Sequence, residues 1–217
     1  MHDDFDSIRI LEEIMLKLRG LALERAVPVS DIVHEALGEY LLTRTNDVNL
    51  FDVIHSIENA MNRADQFMTS FDPEGLAIFI KSPIRYIYRP ELKYEIRVVR
   101  DNKVSIGTLG VVLRSHDMDT IKHFSGFINL WIELERKYLL RNRAEQITYV
   151  TDTGYFCRQI YYPETAEQRD GQSIGDAISR YIYVFDELLK QYFNHRSGGY
   201  GIEKLYLSRL KDGKLTI

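Results

Sequence analysis

The sequence predicts an α+β protein in two parts. Residues 1–45 form a small strand–helix–helix module, and residues 46–217 form a larger domain with a mainly antiparallel sheet and packed helices. Three observations lead there. The apolar period changes from two to about 3.6 at Glu12. Between Leu76 and Leu113, apolar runs are joined by connections short enough to allow only antiparallel neighbours. Three long stretches after Asn49 carry apolar residues at helical spacing.

In the first part, Ile8 and Ile10 alternate with Ser7 and Arg9, giving a short strand one apolar face. A strand this short is unstable alone and needs a mate. From Glu12 onward Ile14, Leu18, Leu21 and Ala22 recur at helical spacing, and Glu12 and Glu13 suit the positive end of a helix. Pro28 keeps Val27 out of helical geometry, so this helix should end near Arg25. Ser30 is placed to cap a second helix, whose buried stripe would be Ile32, Val33, Ala36, Leu37, Tyr40 and Leu41.

This pattern, over roughly Phe5 to Arg44, resembles the ribbon-helix-helix family of DNA-binding proteins, the class of the Arc, MetJ and CopG repressors. The resemblance implies a homodimer or higher even oligomer in which two N-terminal strands pair antiparallel and enter the major groove of double-stranded DNA. It implies that Ser7 and Arg9 face base edges, an arginine being able to make a bidentate contact to guanine. Ser30 would then mark a helix N-terminus whose free N–H groups hold a phosphate. Residues 1–45 carry nine Asp/Glu against five Lys/Arg. That sign favours an alternative, in which the module is only a dimerisation clasp for a ligand-binding protein or an unfamiliar enzyme.

Thr43 to Asn49 is polar and without apolar period, which makes it the boundary. Asn49 can cap a helix from Leu50 to about Met68. Four strands should follow, Leu76–Lys81, Ile84–Tyr88, Leu92–Val99 and Val104–Leu113, the last with Gly107 and Gly110 marking a bulge or close approach. Asp117 or Asp119 should cap the longest helix, reaching about Leu140. Phe124, Ile128 and Trp131 would face its core, and Glu133, Glu135, Arg136 and Lys137 water. Gln146–Thr151 and Tyr155–Tyr161 read as a hairpin, and Ser173 to Asn194 as a helix ended by Ser197-Gly198-Gly199. Gly201–Leu207 is expected to pair with Leu215–Ile217.

With 45% hydrophobic and 28% charged residues, the composition is that of a soluble globular protein. No apolar run reaches the roughly 18 residues of a membrane span, and no signal-peptide pattern is present. Cys157 is the only cysteine, which excludes an internal disulfide, suits the cytoplasm, and sits in an apolar strand pattern expected to be core. Residues 46–217 balance 23 acids with 23 bases, so that domain has no generic basic groove.

Two side-chain sets there have chemical potential. Arg85 and Arg89 would share a strand face and, with Arg97 on the next strand, clamp the carboxylate or phosphate of a small effector. His116, Asp119 and His123, at i, i+3 and i+7 near a helix start, are candidate ligands for zinc, nickel or iron. Catalytic signatures such as G-x-x-x-x-G-K-[ST], G-x-S-x-G and H-E-x-x-H are missing, so a binding protein with no catalytic residues is expected, its cofactor unknown.

Overall fold

A computed structural model of the 217-residue chain describes residues 12–25, 27–33, 48–72, 76–86, 89–99, 105–139, 148–162, 170–194 and 199–213. The chain divides into two compact units, Met1–Asp47 and Val48–Ile217. The expected strand over residues 7–10 lies outside the described residues.

In the first unit, helix α1 spans Glu12–Arg25, with its acids in the first turn and Arg25 in the last, as the helix dipole favours. Val27 N–H returns to the Ala22 carbonyl at 3.1 Å and closes the helix end. Helical backbone resumes at residue 29. Ser30 is therefore in the first turn and not at the cap, and its hydroxyl donates to the Asp31 carboxylate at 3.2 Å. Ala22 and Ile32 are buried, whereas Ile14, Leu16, Leu21 and Leu23 of α1 are 40–83% exposed.

The second unit is a six-stranded antiparallel sheet, order β1-β2-β3-β4-β6-β5, with helices on one face. Its elements are α2 (Leu50–Asn62), β1 (Met68–Asp72), β2 (Ala77–Pro83), β3 (Glu91–Val98) and β4 (Ser105–Arg114). Then come α3 (Met118–Leu134), a π-helical turn (Glu135–Leu139), β5 (Tyr149–Asp152), β6 (Tyr155–Tyr161), α4 (Gly171–Asn194) and α5 (Gly199–Lys211). The core joins Ile78, Ile80, Tyr94 and Ile96 of the sheet to Ile54 and Ile57 of α2, Phe127 and Trp131 of α3, and Phe185 of α4. Phe79, Lys93, Glu95, Tyr155 and Cys157 alternate with these core positions and remain half-exposed on the opposite face. Cys157 is thus not a core residue.

Local chemistry explains most boundaries. Asn49 Oδ1 accepts from Phe51 N–H at 3.1 Å and starts α2; Asp117 Oδ2 accepts from Thr120 N–H at 2.8 Å and starts α3. Helix α2 ends six residues before the expected Met68, because Ala64 and Phe67 N–H bond back to Met61 and Ala64 and release the chain into edge strand β1. Gly107 sits at a bulge where an added Cβ would lie 1.9 Å from the Arg97 carbonyl oxygen, so only glycine fits. Helix α4, at 24 residues, is longer than α3. Gly171 and Gly175 let it approach α2 backbone to backbone. The segment expected to form a strand from Gly201 is instead helix α5, which Gly199 opens.

Candidate functional site

Between β2 and β3 the expected strand Ile84–Tyr88 does not form over its described residues 84–86. Pro83 and Pro90 bracket this stretch, and neither can donate a ladder hydrogen bond. The connection instead borders an open cleft of about 1390 Å³. Arg85 and Arg89 both line it, placed there by the connection and not by a shared strand face. Arg89 has φ +43°, the left-handed region that costs a non-glycine residue about 1–2 kcal/mol. Its N–H donates to the Tyr86 carbonyl at 3.1 Å. Among the described residues, neither guanidinium has an ion pair or hydrogen-bonded partner.

Arg97 is elsewhere. It lies on the open face of the sheet, paired with Glu95, with its guanidinium 6.0 Å from the Phe79 ring centre. Two of the three expected arginines therefore share a site. Among the described residues the one carboxylate lining the cleft, Glu91, is engaged by Lys81 at 3.0 Å, and the hydrogen bond from that ammonium holds its pKa below the usual value.

Ser82, which lines the cleft, ends a chain of polar contacts that sequence spacing does not reveal and whose other members lie outside the cleft lining. Tyr94 O–H donates to Asp186 Oδ1 at 2.9 Å, and Lys190 Nζ lies 2.7 Å from Asp186 Oδ2 as an off-axis ion pair. Lys190 Nζ also donates to Ser82 Oγ at 2.7 Å. Burial, then the Asp186 charge, pushes the Tyr94 hydroxyl well above its ordinary pKa, so it remains a donor. An ammonium paired with Asp186 has no lone pair to accept the Ser82 proton, so Ser82 and Lys190 do not make an activated nucleophile. Instead, the ammonium polarises a hydroxyl that is 3% exposed at the cleft surface.

The other wall is aromatic. The His123 ring stacks parallel to Tyr86 (6.1 Å, 5°) and meets Phe193 edge-on at 5.0 Å. His123 Nε2 lies 3.2 Å from the Tyr192 carbonyl oxygen, which can only accept, so Nε2 carries a hydrogen.

The expected metal set does not assemble. His116 precedes the cap Asp117, so it is not on the helical face that carries Asp119 and His123. It lines a neighbouring groove beside Arg114 that shares Arg89 and Glu91 with the cleft, while exposed Asp119 pairs with Lys122 at 3.4 Å. Among the described residues no three His, Cys, Asp or Glu side chains converge to hold a metal ion. Of the DNA-facing set, Ser7 and Arg9 lie outside the described residues, and Ser30 stands as given above.

A second polar constellation is buried in the core. Glu135, expected to face water, is fully buried and opens the π-helical turn. Its carboxylate accepts from Tyr181 O–H at 2.7 Å and Tyr149 O–H at 2.8 Å, and lies 3.4 Å from Arg158 Nε. Arg158 is 1% exposed, has no well-directed hydrogen bond, and stacks 4.7 Å from the Tyr181 ring centre. Burial works to lower the Arg158 pKa and is the largest single influence, but Glu135 together with Tyr181, Tyr149 and Tyr206 outweighs it, and the guanidinium stays charged. Burial, then Glu135, raises the pKa of both tyrosines. Two sequence signals point to this pair: Arg158 shares a strand face with Phe156 and Ile160, and Glu135 continues the stripe of Phe124, Ile128 and Trp131.

Comparison with protein-family models, curated proteins and solved structures gives no match.

Proposed function

We propose that the chain is a homodimeric, repressor-type DNA-binding regulator of transcription that works in the cytoplasm. Residues 1–45 of two copies would present a β-ribbon, with Arg9 and Ser7 outward, to the major groove of double-stranded DNA. The α+β unit would bind a small effector that modulates DNA affinity by changing how two arms span their half-sites. The make-up of the N-terminal unit is what carries the reading. Helix α1 stops at Arg25 and a second helix starts at residue 29, in the order that the ribbon-helix-helix resemblance requires. The exposed Ile14, Leu16, Leu21 and Leu23 supply apolar surface that a second copy would bury. A second reading, favoured by the nine acids against five bases of residues 1–45, keeps the dimer and drops the DNA.

A gel shift against DNA from the protein's own promoter region, at about 50 and 200 mM salt, separates the two readings. The regulator reading expects retardation that fades steeply with salt, and a loss of about 1–3 kcal/mol of specific binding in Arg9→Ala. A dimer that retards no fragment at low salt leaves only the clasp.

A further inference from the structure

We propose that the cleft beside the β2–β3 connection binds a small organic anion: a carboxylate or phosphate joined to a flat apolar body. Arg85, Arg89 and the Ser82 hydroxyl take the charged end; Tyr86 and His123 take the body. This rests on reading the α+β unit as an effector-binding unit and names the class of effector.

Charge gives the first argument. Arg85 and Arg89 line one cleft and among the described residues have no ion pair, and the one carboxylate lining it among those residues is held by Lys81. An oxyanion is the ligand such a pair takes in fork geometry. Arg89 also sits in backbone strain, a feature that clusters at ligand clamps.

Hydrogen bonding gives the second. Ser82 Oγ accepts from Lys190, and among the described residues its own proton goes to no acceptor. The hydroxyl is therefore a donor strengthened by a cation behind it, suited to an oxyanion in front. The buried Asp186 and Tyr94 fix that cation in place.

Shape gives the third. A bare ion would leave most of a 1390 Å³ cleft wet, including the wall of Tyr86, His123 and Phe193. An aromatic or flat apolar body would cover that wall.

The test is isothermal titration of the full chain with four probes: benzoate, phenyl phosphate, inorganic phosphate and benzyl alcohol. Benzoate or phenyl phosphate is expected to bind at least about tenfold more tightly than either inorganic phosphate or benzyl alcohol, and the stronger of the two identifies the oxyanion. Arg89→Gly removes the guanidinium while accepting the positive φ, so it should weaken that probe about tenfold without loss of fold. Ser82→Ala should weaken it severalfold; Arg97→Ala, outside the cleft, should not. Saturation should also shift the His123 imidazole signals in NMR spectra.

Equal weak binding of all four probes overturns the proposal. So does tight binding that survives both Arg85→Ala and Arg89→Gly. Absence of DNA retardation alongside the expected probe pattern would sink the regulator reading and leave this one standing; retardation without the pattern does the reverse.

Discussion

Replacing Arg158 by methionine leaves the Glu135 carboxylate buried with two tyrosine donors and no cation. Replacing Glu135 by glutamine leaves a guanidinium at 1% exposure with no counter-charge. Removing one partner of a buried pair costs about 3–5 kcal/mol, because the other remains uncompensated. The double variant Glu135→Gln/Arg158→Met behaves differently. The glutamine carbonyl can accept Tyr181 O–H, its amide can donate to the Tyr149 oxygen, and methionine can fill the space over the Tyr181 ring. Its loss should be at most about 2 kcal/mol, which makes the coupling between the two sites at least about 4 kcal/mol. Urea unfolding of the four proteins near neutral pH measures this, with equal slopes confirming that the denatured states are alike. Additive losses, with the double variant the least stable, would refute the view that charge compensation holds this cluster together.

Glycine substitutions along β4 should separate sharply. Gly107→Ala meets the Arg97 carbonyl at 1.9 Å and should lose at least about 3 kcal/mol, while Gly110→Ala, 3.6 Å from its nearest neighbour, should stay within about 1 kcal/mol in thermal unfolding. Gly175→Ala places a Cβ 2.5 Å from the Ser56 Cβ and 2.6 Å from the Val53 carbonyl oxygen. It should cost about 1–3 kcal/mol by forcing α4 off α2, read as a lower urea midpoint. The helix caps set an acid limb. Hydrogen bonds from Thr120 and Ser173 hold the Asp117 and Asp170 carboxyls below 3.8, so their contribution is present above that value and disappears as pH falls through the depressed folded values. Asp117→Asn/Asp170→Asn should flatten stability against pH in that range.

The parts legible in the sequence are those where one local pattern decides. The stripe Leu50, Ile54 and Ile57, the alternation over Leu92 to Val98, and the caps Asn49 and Asp117 all appear where periodicity and capping put them. Pairing across the chain was not legible. Strand β1 is five residues at a sheet edge, too short to outweigh the helical pattern before it. Helix α5 starts among glycines, which favour a turn until Ile202 and Tyr206 are buried against α3 and α4. Glu135 looked like a solvent residue because the cation that makes its burial tolerable lies 23 positions away on β6. The cleft was half legible: Arg85 and Arg89 could be singled out by type, but Ser82 gains its chemistry only from Lys190, a contact spanning 108 residues.

The two outer strands of the sheet are its shortest, five residues in β1 and four in β5, and each carries an aspartate, Asp72 and Asp152. A rim so brief and charged is a poor template for a neighbouring molecule's backbone. Growth of the sheet from chain to chain is thereby discouraged while the second unit stays folded. Turbidity on heating should accordingly lag behind loss of the near-ultraviolet signal from Trp131 rather than precede it.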